Sequence, residues 1–197
     1  MESFVYENAT RVYFGRGCVG ASLEEAVRGL GKTVLLAYGG GSIKKNGIYG
    51  EVTGILKKAG KEIVDFPGIM PNPTWRKVQE GKRAVKEHGV DFILGVGGGS
   101  VMDCCKAISM AAATERDVWE EYWIRKGVVD FEPVPVGLIV TVVGTGSEVN
   151  GEGVITNEEQ KIKTSRNYPR CNARFAMLDP VYTYTVSPQQ TAAGGFD

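Results

Sequence analysis

The tetrapeptide Gly-Gly-Gly-Ser occurs twice in this chain, as Gly39, Gly40, Gly41, Ser42 after the apolar run TVLLAY and as Gly97, Gly98, Gly99, Ser100 after DFILGV. A third turn of similar kind, Gly144-Thr145-Gly146-Ser147, follows GLIVTVV. A short apolar run, a glycine turn and then a helical pattern together signal a parallel sheet, because parallel neighbours need a crossover connection that is usually a helix. The glycines also leave backbone N–H groups uncovered, and a helix that starts there adds the positive end of its dipole, which suits a phosphate. Three such turns at corresponding places point to a nucleotide site.

The segments between the turns agree with that frame. Ser22–Leu30 reads as a short helix with Ser22 as N-cap and Glu25 completing a capping box. Strand Thr33–Tyr38 leads to the first turn, and a helix from Ile48 to Ala59 ends at Gly60. Strand Lys61–Phe66, the Pro-Asn-Pro loop at 71–73, a helix from Thr74 to His88 and strand Phe92–Val96 follow. After the second turn come a helix of small residues, Val101–Ala113, the aromatic helical segment DVWEEYWIRKG and strand Leu138–Val143. EGVITN and RFAMLD read as further strands, and SFVYENATRVYFGRG as a hairpin. Strands alternating with helices of about 12–15 residues predict an α/β fold, a Rossmann-like doubly wound, mainly parallel sheet with an N-terminal β-hairpin.

At 197 residues the chain suffices for one substantial α/β domain. Its 23 basic and 23 acidic residues form no basic stripe, which argues against a nucleic-acid partner. No apolar run approaches the roughly 18 residues of a membrane span, and the N-terminus lacks a signal-peptide core, so a cytoplasmic protein without a membrane partner is expected. Cys18, Cys104, Cys105 and Cys171 lack CxxC spacing and read as free thiols, the adjacent pair as small apolar filler of a packed helix. His88, the one histidine, precedes Gly89 at a helix end, where a donor can satisfy terminal carbonyls.

The second turn is the stronger phosphate candidate, since Ser100 adds a hydroxyl at a helix start. Asp103 in the first turn of that helix has two open readings, a favourable charge at the dipole's positive end or a hydrogen bond to a cofactor. The first turn has no acid of the kind that holds the ribose 2′-hydroxyl of NAD, and Lys44 and Lys45 lie beside it. That favours NADP(H) over NAD(H), against the plainer reading of a surface turn with solvated lysines. No GxGxxG and no P-loop is present.

Six stretches together resemble one family: VYFGRG (12–17), GGGSIKKNGIY (39–49), PNP (71–73), GVGGGSVMDCCKAI (95–108), GTGSEVN (144–150) and LDPVYTYT (178–185). This chain resembles the iron-containing (group III, metal-dependent) alcohol dehydrogenases, in particular their butanol dehydrogenase-like branch. The resemblance implies that residues 1–197 are an N-terminal dinucleotide-binding domain, without the helical C-terminal domain that closes the cleft. It implies an adenosine-ribose turn at Gly39, Gly40, Gly41 and Ser42, a cleft asparagine at Asn72, and a pyrophosphate turn at Gly98, Gly99 and Ser100 with Asp103. Thr141, Thr145, Ser147 and Asn150 would reach the nicotinamide side, Lys163 (or Lys161) the nicotinamide ribose, and Tyr182 the adenosine half. Asp197, which ends the stretch QTAAGGFD, would be the first ligand of a divalent iron or zinc whose three histidine ligands lie beyond this chain. The expected reaction interconverts primary alcohols and aldehydes with NADP(H), in a homodimer joined through the Phe4–Phe14 strands, and this chain alone would be inactive. The related glycerol dehydrogenase and dehydroquinate synthase group fits GTGSEVN and LDPVYTYT less well, and a stand-alone nucleotide-binding module is the non-enzymatic alternative.

Overall fold

In the computed structural model, which describes residues 8–196, the buried apolar runs become the strands of one parallel sheet. Its strands are β1 (Arg11–Phe14), β2 (Thr33–Tyr38), β3 (Glu62–Phe66), β4 (Phe92–Gly97), β5 (Val136–Val140) and, after an intervening hairpin, β8 (Phe175–Leu178). Among the described residues these six strands pair in the order β1-β8-β5-β4-β2-β3, every pair parallel. The connecting helices are α1 (Cys18–Ala26), the single turn α2 (Ser42–Lys45), α3 (Ile48–Lys58), α4 (Trp75–Glu87) and α5 (Gly99–Ala112), with α6 (Pro188–Phe196) beyond the last strand.

Side chains alternate along a strand, and here both sets are apolar because both faces are covered. Val34, Leu36 and Tyr38 of β2 share a core with Val19 and Leu23 of α1 and Val52 and Leu56 of α3. Leu35 and Ala37 face the other way, into a core built from Val78 and Val85 of α4 and most of α5. The fold is therefore a doubly wound, Rossmann-like α/β sheet. Each fully buried Leu or Ile contributes about 1.5–3 kcal/mol.

The path of the chain through this sheet decides where a ligand can bind. From β2 the chain steps outward to β3, returns past β2 to β4, and continues in that second direction to β5 and β8. The direction reverses between β2 and β4, and a crevice at the carboxyl ends of such a strand pair is the usual ligand position in an open α/β sheet. The register pairs Tyr38 with Val96, so both Gly-Gly-Gly-Ser turns leave the sheet at that crevice.

The hairpin of β6 (Glu152–Asn157) and β7 (Ile162–Asn167) is antiparallel and stands outside the main sheet. It is tied to the start of α4 by a bridge between Thr74 and Thr156 and by a 3.0 Å bond from Thr156 N to Pro73 O. The aromatic segment forms a π-helical turn, Trp119–Ile124, that braces the hairpin from behind. Trp119 Nε1 donates to Gln160 Oε1 at 2.7 Å, Trp123 Nε1 to Gly153 O at 3.2 Å, and Tyr168 OH to Tyr122 O at 2.7 Å.

Two local expectations are corrected. The first helix begins at Cys18, after Gly17 with φ 74°, so Ser22 lies inside it and is no N-cap. The Gly17 N–H is instead held by Asp179 Oδ2 at 2.7 Å, which fixes the helix start from the other end of the chain. β5 ends at Val140 rather than Val143. Thr141 N makes one more sheet bond, to Gly97 O, and then Val142 packs on Gly98 while the Val143 carbonyl meets Gly194. The polar strand β7 was not expected. Of the N-terminal hairpin, residues 1–7 lie outside the described residues, and Arg11–Phe14 is the edge strand beside β8.

Cys104, Cys105 and Cys171 are buried free thiols and Cys18 is half-buried. Burial pushes the Cys104 and Cys171 thiols up to about 12, and the adjacent cysteines act as core filler. Among the described residues no helix is long and apolar enough to cross a membrane.

Gly137 in β5 shows how closely the sheet is packed, since a Cβ there would lie 2.4 Å from Phe175 Cζ and 2.8 Å from Phe92 Cζ. Gly137→Ala is expected to cost about 1–3 kcal/mol by overpacking, read as a lower urea midpoint with an unchanged slope; an unchanged midpoint would refute this packing argument.

Candidate functional site

The two glycine turns at the crevice share a sequence but differ in construction. At the second, β4 runs into α5 through Gly98, and no side chain caps the helix. A Cβ on Gly97 would strike Val101 at 2.5 Å, and one on Gly99 would strike Thr145 at 2.8 Å. Glycine is required there by close approach of neighbouring elements. The result is an uncapped N-terminus on a 14-residue helix, with Gly99 and Ser100 in its opening turn.

At the first turn, Gly41 adopts φ 98° and α2 lasts one turn before Gly47, at φ 83°, starts α3. A Cβ at Gly40 or Gly41 would meet nothing within 4 Å. The requirement at Gly41 is conformational, and Gly40 borders open space. No carboxylate belongs to the turn. The Lys44 ammonium lies over the Tyr49 and Tyr38 rings, 4.6 and 5.2 Å from their centroids. Asp65 accepts from Tyr49 OH at 2.7 Å, and that bond pushes the Tyr49 phenol up to about 12.

Asn72 and Lys163, far apart in the chain, are brought together: Lys163 Nζ donates to Asn72 Oδ1 at 2.7 Å. Asn72 sits at φ 53° in its loop, and Lys161 lies in the tip of the β6–β7 hairpin, also at positive φ. Tyr182 is buried beside α3 and lines a cleft of about 300 Å³ with Asn46, Ile48 and Glu51. Burial, reinforced by Glu51, raises its phenol well above the usual range. Asp197 lies outside the described residues. Among the described residues no group of three or more His, Cys, Asp or Glu is placed to hold a metal. His88 is the C-cap of α4.

Thr141, Thr145, Ser147 and Asn150 belong to the segment after β5, but they do not form a uniform ligand-facing set. Thr145 packs on Gly99, while Ser147 is buried and donates to Asp103 Oδ1 at 2.6 Å. The other Asp103 oxygen accepts from Val154 N at 3.1 Å. Asp103 is thus engaged by protein groups on both oxygens, beneath the glycine turn. Burial raises its carboxyl above the ordinary value, against the pull of these bonds and of Lys106.

Lys106, which no motif argument singled out, is the centre of this cluster. It is 1% exposed, and its ammonium donates to Ser147 O, Ser147 Oγ and Glu152 O at 2.5, 2.8 and 2.8 Å, with Asn150 Oδ1 at 3.2 Å. The signal was present: a lysine three residues after an aspartate, inside a helix otherwise made of small apolar residues.

Burial pulls the Lys106 ammonium down from 10.5 to about 8, against attraction from Asp103 and Glu148. Between those values the unfolded chain holds the extra proton, so this group's contribution to stability rises with pH. The stability of the wild type relative to Lys106→Met is therefore expected to increase as pH goes from 8 to 10.5, measured by urea unfolding of both proteins. A difference that shrinks over this range would contradict the assignment.

With this geometry in place, comparison with known proteins is direct. The model of the iron-containing alcohol dehydrogenase family matches residues 9–180. The chain is 43% identical over its whole length to the probable NADH-dependent butanol dehydrogenase 2 of Bacillus subtilis, covering 50% of that protein. It is 37% identical over its whole length to the NADPH-dependent aldehyde reductase YqhD of Escherichia coli, again covering 50%. The crystal structure of an NADH-dependent butanol dehydrogenase A from Thermotoga maritima superposes with a TM-score of 0.92 at 40% identity, covering 100% of this chain and 49% of that one. The chain spans about half the length of the relatives it matches. A family match over most of the chain, on a sheet whose glycine turns meet at the reversal point, shows that this chain belongs to the iron-containing alcohol dehydrogenases.

Proposed function

We propose that this chain is the cofactor-binding half of a metal-dependent alcohol dehydrogenase that interconverts primary alcohols and aldehydes with NADP(H). The observation that carries the cofactor part is the meeting of two glycine turns at the β2/β4 reversal, one of them opening an uncapped helix. The second turn presents bare backbone at an uncapped helix start, a donor set that fits the pyrophosphate of a dinucleotide. A nicotinamide cofactor bound there would supply the hydride acceptor or donor for the alcohol/aldehyde pair.

In this reading the N–H groups at Gly99 and Ser100 take the pyrophosphate, and Gly39–Ser42 take the adenosine ribose. Asn72 and Lys163 form one polar wall of the cleft, and Tyr182 backs the adenosine half. Asp103, Ser147 and Asn150 act through the loop they hold. The described residues do not by themselves assemble a metal site. The remaining ligands and the substrate pocket belong to a further domain, with Asp197 as this chain's contribution. Homodimerisation through the sheet edge belongs to the same reading, since Val12 and Phe14 of β1 are exposed there.

The preference for NADP(H) rests on the acid-free first turn, on Lys44 beside it, and on Asp65 being engaged by Tyr49. The names of the relatives divide on this point, NADH for the Bacillus protein and NADPH for the Escherichia coli one. Tryptophan-fluorescence titration tests the preference. NADPH is expected to bind at least roughly tenfold tighter than NADH, the scale of one or two charge-assisted hydrogen bonds. Gly40→Asp, which has space for its side chain, is expected to abolish the difference; equal affinities in the unmodified protein would overturn the NADP(H) assignment. Alcohol-dependent NADP⁺ reduction by this chain alone is expected to be absent, and turnover would contradict the assignment of the metal ligands to a further domain.

A further inference from the structure

The segment Gly144–Asn150 contains no strand and only a three-residue helical turn, Ser147–Val149. Its internal bonds are few: Val149 N to Gly146 O at 3.1 Å, Ser147 N to Thr145 Oγ1 at 3.3 Å, and Asn150 Nδ2 to Gly146 O at 3.2 Å. Its attachment to α5 runs through side chains, and Lys106 gathers most of them. An ammonium has three N–H donors, and four oxygens surround this one, two from Ser147, one from Asn150 and one from Glu152 at the start of β6. One side chain thus fixes both the middle of the segment and its exit into the hairpin.

Asp103 lies three residues earlier on the same helix face. It accepts the Ser147 hydroxyl proton, and the Ser147 oxygen accepts from Lys106. The hydroxyl therefore has one orientation, set by an anion on one side and a cation on the other. On the cleft side the same segment lays Thr145 against Gly99, and Val142, just before the segment, packs against Gly98. Moving the segment moves the roof of the pyrophosphate turn.

Packing alone does not call for a lysine here. Burying an ammonium carries a desolvation cost, and a hydrophobic side chain of similar volume is often as stable or more so. We propose that Lys106 is a positioning residue for cofactor binding, holding Gly144–Asn150 over the Gly98–Ser100 turn from inside α5 without touching the cofactor. This rests on the cofactor reading given above.

The test compares the protein with Lys106→Met using two probes and one cofactor-free measurement. Adenosine 2′-monophosphate carries the 2′-phosphate but no 5′-phosphate and no nicotinamide, so it reports the first turn alone. In Lys106→Met, NADPH affinity is expected to fall roughly tenfold, the equivalent of one lost charged hydrogen bond, while affinity for adenosine 2′-monophosphate changes by less than about twofold on the same scale. Without nucleotide, the amides of residues 144–150 are expected to exchange roughly tenfold faster with deuterium, the scale of the same lost bond, while those of β2 and β4 keep their protection. Unchanged NADPH affinity, or an equal loss for both probes, overturns the proposal, the second by showing a merely structural role. If the unmodified protein binds neither probe, the cofactor reading falls, and the exchange comparison still decides the tie; unchanged exchange at 144–150 overturns it. Should Lys106→Met not fold, Lys106→Gln carries the same readouts.

Discussion

Parallel pairing is the constraint from which the other features follow. Each parallel neighbour has to be reached by a crossover, so every strand starts at one edge of the sheet and ends at the other. All carboxyl ends then lie together, and a single reversal in strand order opens one crevice among them. Here the reversal falls between β2 and β4, and both turns at that point are triple glycines. Their demands differ. Gly97 and Gly99 lack side chains because Val101 and Thr145 occupy that space, whereas Gly40 lacks one beside an opening. One turn is a tightly built floor and the other an unfilled margin.

How much of this was legible in the sequence depended on whether the signal was local. Strands buried on both faces print continuous apolar runs, and TVLLAY and DFILGV were read to within a residue or so of β2 and β4. Signals that depend on remote partners were lost. Ser22 had the spacing of a cap, but Asp179, from the far end of the chain, fixes the helix start at Gly17 instead. Val142 and Val143 read as strand, yet they leave the sheet to pack on Gly98 and Gly194. IKTSRN carries no apolar alternation because β7 pairs only with β6 and has exposed and half-buried positions throughout. The glycine turns were legible in the sequence as turns at strand ends, whereas the engagement of Ser147 by both Asp103 and Lys106 needed three dimensions.

The helix α5 joins these observations. Val101 to Ala111 are all buried, so the helix whose N-terminus faces the crevice has almost no freedom to shift. Ordering costs paid during folding are not paid again at binding. The same helix carries the one buried lysine among the described residues, and the two cysteines beside it are held protonated by burial. Neither thiol adds a charge beside Asp103 and Lys106.

The parallel contact between β1 and β8 has a consequence of a different kind. Arg11 pairs with Phe175 and Phe14 with Leu178, and Gly17 waits for Asp179 to hold its N–H. The first described strand and the first helix start are completed by residues made near the end of this chain. Contacts of such sequence separation are closed late and slowly, because the loop entropy is lost before the contact rewards it. During synthesis the β2–β4 unit can assemble from neighbouring segments while β1 still awaits β8, its partner among the described residues. The order of assembly is thus the reverse of the order of translation for this one strand.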